Sequence, residues 1–295
     1  HFERLIGMDR SFSPEAREDA RARIPTPRAS EAVLHRPHLR MELRAIVALA
    51  DNAHTQLYSP DGWSAYLIPL RVYGFSDGVH VLLADAPNAD LLGARLTHVN
   101  GRPVADVASA LMRFTGGTDA WRRSSTDRLL SVPEFLYGAG LGEDPSRVTW
   151  RLDMNGETVE RDFTVRTPPD DEPQPASARL LSPEPMEGQP ADRRAFSPRG
   201  GVGMALTDFR LPFRRVWIGD SCTLFLQFKS NRDEDGFAIG PFIRETRQAM
   251  RARPPCNLIL DMRWNGGGDY TLTERFFRDL PALVAPEGGI YILTG

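Results

Sequence analysis

The stretch Leu258-Ile259-Leu260-Asp261-Met262-Arg263-Trp264-Asn265-Gly266-Gly267-Gly268 constrains this chain more than any other. Its apolar start, set off by Pro254 and Pro255, has the composition of a buried strand. Three consecutive glycines then turn the chain, and from Thr271 to Phe277 the pattern becomes helical. A strand that ends in a glycine turn and opens a helix presents unpaired backbone N–H groups near the positive end of the helix dipole. That is a place for an anion, either a phosphate or the oxyanion of acyl transfer. The phosphate reading has less support. Neither Gly-x-x-x-x-Gly-Lys-Ser/Thr nor Gly-x-Gly-x-x-Gly is present, and the only lysine, Lys229, lies upstream. A plain tight turn is the remaining alternative, but three glycines behind an Asp-x-Arg-x-Asn run exceed what a turn needs.

The flanking sequence places this turn in an α/β segment, residues 204–295. Strands are predicted at Thr223–Phe228, Leu258–Met262 and Ile290–Leu293, and helices at Phe242–Met250 and Thr271–Leu280. Such alternation implies crossovers on a largely parallel sheet, with ligands at the carboxyl ends of the strands. Residues 1–56 read as helical. Ser13-Pro14-Glu15 starts one helix, and a second runs near Arg40–Leu49 with Leu39, Leu43, Ile46, Val47 and Ala50 as its apolar stripe.

Residues 57–166 read as mostly strand. Tyr66–Tyr73 and Val79–Leu83 flank Asp77-Gly78, while Val148–Met154 and Thr158–Val165 flank Asn155-Gly156, a strong hairpin signal. Residues 167–203, rich in proline from Pro168 to Pro198, read as a linker or an insertion. The expected fold is α+β and multidomain: a helical N-terminal region, a strand-rich region and a βαβ core.

Composition narrows the function. A net charge of -3 gives no electrostatic reason for a nucleic-acid or membrane-surface partner. No apolar run approaches the roughly 20 residues of a membrane span. His1-Phe2-Glu3-Arg4 carries no signal-peptide pattern. None of the six histidines has metal-ligand spacing such as His-Glu-x-x-His, so neither a metal nor a cofactor is expected. Cys222 and Cys256 read as two small buried thiols rather than a disulfide. His54 stands apart from the other histidines, just past a predicted helix end and before an extended segment. The Trp121-Arg122-Arg123 cluster reads as a solvated face.

Leu258 to Gly268 resembles the Asp-x-Arg-x-Asn-Gly-Gly-Gly signature of the tricorn and C-terminal-processing family of serine peptidases, which includes the tail-specific proteases. Asp51-Asn52-Ala53-His54-Thr55 resembles that family's Asp-Gly-His-Thr segment, one residue longer. Leu91 to Val104 resembles the second half of a PDZ-like module, and Tyr73-Gly74-Phe75 faintly echoes a carboxylate-binding loop. The resemblance implies a serine-type peptidase acting on a peptide or protein, in the periplasm or outside the cell. His54 would be the general base, and the Gly266 and Gly267 amides would hold the oxyanion. Asp261, Arg263 and Asn265 would support the turn.

In that family the nucleophilic serine follows a strand such as Ile290–Leu293, which places it beyond residue 295. Neither Ser221 nor Ser230 lies in a nucleophile-elbow context, and Lys229 reads as an ordinary strand-end residue. A third, orienting acid is unassigned, because helix-end capping explains Asp51 equally well. A packing role for the PDZ-like region stands beside peptide capture by strand addition. The second hypothesis is a non-catalytic protein that uses the same fold to bind a peptide or an apolar ligand.

Overall fold

The computed structural model describes residues 2–24, 36–57, 67–165, 180–184, 191–234 and 236–294. The chain folds as α+β in two compact units, His1–Pro198 and Arg199–Gly295.

The first unit opens with helices at Phe2–Met8, Pro14–Arg23 and Arg36–Ala48. Ser13 Oγ accepts the Ala16 N–H at 3.1 Å, and Pro14 takes the first helical position, where its missing N–H costs nothing. The third helix begins at Arg36 rather than near Arg40, and its apolar stripe is divided between two cores. Met41 and Ala45 join the main cluster, while Ile46 and Ala50 close a small one with Ile6, Phe12, Ala20 and Ile24. Leu39 and Leu43, expected on the buried stripe, are only half-buried.

The strands of this unit are β1 (Leu70–Phe75), β2 (Gly78–Asp85), β3 (Arg95–Val99), β4 (Arg102–Pro103), β5 (Arg147–Met154), β6 (Glu157–Thr164) and β7 (Arg193–Ala195). They form one antiparallel sheet in the order β1-β2-β3-β5-β6, with β4 on β3 and β7 on β2. The β5–β6 hairpin turns on Asn155 (φ 56°) and Gly156 (φ 92°), the positive-φ pair that an Asn-Gly turn supplies. The first hairpin turns on Ser76-Asp77 rather than Asp77-Gly78, and β1 starts at Leu70, beyond Pro69, while Tyr66 lies outside the described residues.

Residues 57–166 are not mostly strand. Helices at Val104–Leu111, Asp119–Leu130 and Pro133–Gly138 intervene between β4 and β5. Their apolar residues Leu111, Leu129, Leu130 and Leu136 are buried with Leu96, Trp150 and Leu152 of the sheet, each contributing about 1.5–3 kcal/mol. Within the Pro-rich stretch, Arg193–Ala195 is ordered as β7, and Arg193 pairs with Asp85 at 2.7 Å with both side chains buried. Pro168–Pro175, Pro185 and Pro190 lie outside the described residues.

The second unit is a four-stranded sheet of β8 (Phe213–Trp217), β9 (Thr223–Phe228), β10 (Asn257–Asp261) and β11 (Gly289–Leu293), in the order β11-β10-β9-β8. The strands β9, β10 and β11 are parallel, and β8 runs antiparallel at one edge. The helices Ile239–Ala252 and Thr271–Asp279 make the two crossovers. Phe228, fully buried, centres this core with Phe242 and Phe277 against it at 5.6 and 5.2 Å. Cys222 and Cys256 are bonded to each other and are not two free thiols. They precede neighbouring strands whose register pairs Thr223 with Asn257, which brings the two residues together.

One contact in the first unit bears on function. The Gly74 N–H of β1 donates to Asp127 Oδ2 of the Asp119–Leu130 helix at 2.7 Å. A Cβ at Gly74 would sit 3.0 Å from that oxygen, so glycine is what admits the carboxylate. The amide that echoed a carboxylate-binding loop is therefore occupied by the protein's own carboxylate. Burial pushes the Asp127 carboxyl up to about 6, against the lowering effect of the Gly74 N–H. A raised folded pKa means the native state holds this proton more tightly than the unfolded chain, whose aspartates titrate near about 3.9. The contribution to stability is present below about pH 4 and lost as pH rises through about 6. Asp127→Asn keeps an acceptor without the charge. Its stability relative to wild type should rise between pH 4 and pH 7.5 in urea denaturation. A constant or falling difference contradicts the assignment.

Candidate functional site

The strand β10 ends on Asp261, whose side chain is fully buried. A buried carboxylate needs partners, and this one has four donors. Its Oδ1 accepts Arg263 Nε at 2.9 Å and the Arg263 N–H at 3.2 Å. Oδ2 accepts Arg263 Nη2 at 3.1 Å and Gln227 Nε2 at 3.0 Å. Burial pushes the carboxyl up, but the hydrogen bonds and charge of Arg263, with the bond from Gln227, outweigh it and hold Asp261 below the usual carboxylate range. Asp261 and Arg263 thus form a local ion pair at the end of the strand.

The pair belongs to a longer chain of contacts. Gln227 Oε1 accepts Arg214 Nε at 3.1 Å, and Gln227 Nε2 also donates to Ala205 O at 3.0 Å. Arg214 continues to Thr207 Oγ1, Asp208 Oδ2 and Met204 O. The ends of β8, β9 and β10 are so tied to residues 204–208.

Past Arg263 the bend is made by main chain. Asn265 Nδ2 donates to Phe228 O and Asn231 Oδ1, both at 3.2 Å, so Asn265 supports the turn from beneath. The Gly266 N–H donates to Lys229 O at 2.9 Å, and the Gly267 N–H to Asn265 Oδ1 at 2.9 Å. Asn231 then brackets Gly268, donating to Gly267 O at 2.8 Å and accepting the Asp269 N–H at 2.9 Å. The amides of Gly266 and Gly267, expected to be bare, are both satisfied within the protein. Of the three glycines, only Gly268 leaves its N–H without a partner among the described residues.

The helix that follows is closed in the same way. Asp269 Oδ1 accepts the Thr271 N–H at 2.9 Å and the Thr271 hydroxyl at 2.6 Å, and Asp269 O accepts the Leu272 N–H at 3.2 Å. The expected open helix terminus is a capped one. Asp-Tyr-Thr ahead of the helix was the legible signal for that cap, and it competes with any anion for the same donors.

His54 lies in the first unit, in the turn after the Arg36–Ala48 helix. The chain reverses at Asp51 (φ 49°), and Asn52 Oδ1 accepts the His54 N–H at 2.8 Å. The residue is exposed, and its imidazole makes no hydrogen bond among the described residues. Asp51 does not orient it. The Asp51 carboxylate accepts the Gly117 N–H at 3.1 Å and a bond from Arg122, which together hold it below the usual carboxylate range.

The remaining candidates are structural. Lys229 donates to Phe209 O and stands 4.1 Å from the centre of that ring. Ser221 donates to Ile218 O, and Ser230 is buried beside the turn. His80 and His98 contact Gly93 O and Thr97 Oγ1 at 3.2 and 3.1 Å. Among the described residues no group of three His, Cys, Asp or Glu side chains is placed to hold a metal.

The glycines of the bend differ in what they tolerate. Gly268 has φ 127°, and a Cβ there would lie 2.6 Å from Asn231 O, whereas at Gly266 the nearest atom would be 3.9 Å away. Gly268→Ala should destabilise the second unit by roughly 1–3 kcal/mol or more, because backbone strain and a main-chain clash add. Gly266→Ala should cost less than about 1 kcal/mol. Thermal unfolding of the two variants measures this, and equal losses would contradict the geometry described.

No family model matches this chain, and no curated protein matches it. Among solved structures, the crystal structure of mature CPAF aligns over 91% of this chain and 52% of that one, at 16% identity and a TM-score of 0.49. The chain spans about half the length of that structure.

Proposed function

We propose that this chain carries the base and the oxyanion turn of a serine-type peptidase acting on peptide or protein substrates. One observation carries the reading. At the carboxyl end of a parallel strand, an Asp261–Arg263 pair and Asn265 anchor a glycine bend in which the Gly268 N–H has no partner among the described residues. That arrangement goes with the Asp-x-Arg-x-Asn-Gly-Gly-Gly run, whose resemblance is to peptidases of the tricorn and tail-specific kind.

In this reading the nucleophile is a serine expected after β11. His54 takes its hydroxyl proton as the serine attacks the carbonyl carbon, then returns the proton to the leaving amine. The oxyanion faces the Gly268 N–H. The Gly267 N–H is held by Asn265 Oδ1, the side chain that also anchors the bend, and so stays outside the donor set. The Gly266 N–H is spent in a main-chain bond and drops out of the donor set first assigned to it. An extracytoplasmic location fits the Cys222–Cys256 disulfide, because such bonds persist in oxidising compartments.

A second reading has its own support. The internal engagement of the Gly266 and Gly267 amides, with an imidazole that has no orienting partner among the described residues, favours a protein that binds a peptide or an apolar ligand on this fold without cleaving it. A fluorophosphonate probe separates the two. On the peptidase reading the full-length protein is labelled, and His54→Ala slows labelling by about 10²–10⁴-fold. No labelling of wild type leaves the binding reading standing. Equal labelling of both proteins removes His54 from the mechanism.

A further inference from the structure

The Cys222–Cys256 bond sits at the starts of β9 and β10, at the opposite end of these strands from the glycine bend. Their parallel register runs from the Thr223–Asn257 pair to the Gln227–Asp261 pair, and just beyond it the Gly266 N–H meets Lys229 O. One pair of strands thus carries a covalent staple at its amino end and the bend at its carboxyl end.

The two cysteines are unequal. Cys256 is exposed, whereas Cys222 is half-buried. The Cys256 N–H donates to Cys222 O at 2.7 Å and also to Cys222 Sγ at 3.0 Å. The Cys256 carbonyl accepts the Gly289 N–H at 3.0 Å, and the Asn257 N–H reaches Cys222 O at 3.2 Å. These main-chain bonds hold the Cys256 amide without help from the cross-link, so the donor stays aimed at the Cys222 sulfur when the bond opens. A sulfur with a donor beside it leaves more readily as thiolate, and an exposed disulfide is more open to thiol attack than a buried one.

We propose that Cys222–Cys256 is a redox-sensitive clamp on the β9–β10 pair, opened by exchange with a small thiol. The thiolate attacks Cys256 Sγ, the S–S bond breaks, and its electron pair leaves on Cys222 Sγ. A second thiol then displaces the first from Cys256, so two thiols are oxidised to a disulfide as the cystine is reduced. The bond joins residues 34 apart in sequence, so opening it frees the unfolded chain and weakens the second unit, bend included. The clamp is independent of the peptidase reading, since it requires neither His54 nor a nucleophile.

Glutathione at neutral pH without denaturant, applied to the whole protein and quenched with iodoacetamide, tests this. Mass spectrometry should find glutathione on Cys256 and the alkyl group on Cys222, at least about tenfold over the reverse arrangement. Full reduction with dithiothreitol should lower the melting temperature by about 5 °C or more and speed hydrogen exchange at the Gly266 N–H at least about tenfold. Cys256→Ser keeps the main-chain donor, and its Cys222 thiol should titrate below the Cys256 thiol of Cys222→Ser. A bond that glutathione leaves intact, or glutathione carried mainly by Cys222, overturns the proposal. So does a melting temperature or a Gly266 exchange rate that reduction leaves unchanged.

Discussion

A carboxylate kept entirely from water, that of Asp261, decides how β10 ends. An isolated charge there would be intolerable, so the chain must return two residues later with Arg263, whose planar fork matches both oxygens. Gln227 supplies a further donor and passes the constraint sideways to Arg214 and residues 204–208. The start of the bend is therefore set by satisfying a buried ion, before the glycines contribute.

What the glycines add is closeness. Asn231 can bracket Gly268 only because no Cβ stands between them, and the resulting main-chain bonds use the Gly267 carbonyl and the Asp269 amide. Donors committed in this way are rigid but unavailable. Preorganised amides serve catalysis when they point at the charge that develops in the transition state, and lose that use when they are already bonded. The bend combines both conditions, with Gly266 locked by main chain, Gly267 held by a side chain and Gly268 open.

Much of the architecture is legible where the pattern is local. Thr223–Phe228 is a mostly apolar strand broken only by Gln227 after its polar start, and Asn155-Gly156 supplies the tight hairpin turn. The Asp119–Leu130 helix escapes notice because Leu129 and Leu130 are its only fully buried apolar residues, too few to set a helical period. Packing against β1 sustains it instead. The bond from Gly266 to Lys229 O and the disulfide share another reason for being unforeseen. Both depend on β9 and β10 lying side by side in parallel register, a fact of sheet order that neither strand states alone. At the candidate site, the pairing of Asp261 with Arg263 and the hold of Asn265 on the Gly267 amide are short-range, whereas the bond of the Gly266 amide to Lys229 O comes from a contact distant in sequence.

The account stands on the unequal state of three neighbouring amides. Hydrogen exchange at Gly266, Gly267 and Gly268, read by nitrogen-15 NMR, measures it directly. Gly266 should be strongly protected and Gly267 less so, while Gly268 exchanges close to the rate of an unprotected peptide. A Gly268 amide as protected as that of Gly266, or a Gly266 amide as open as that of Gly268, would contradict the account.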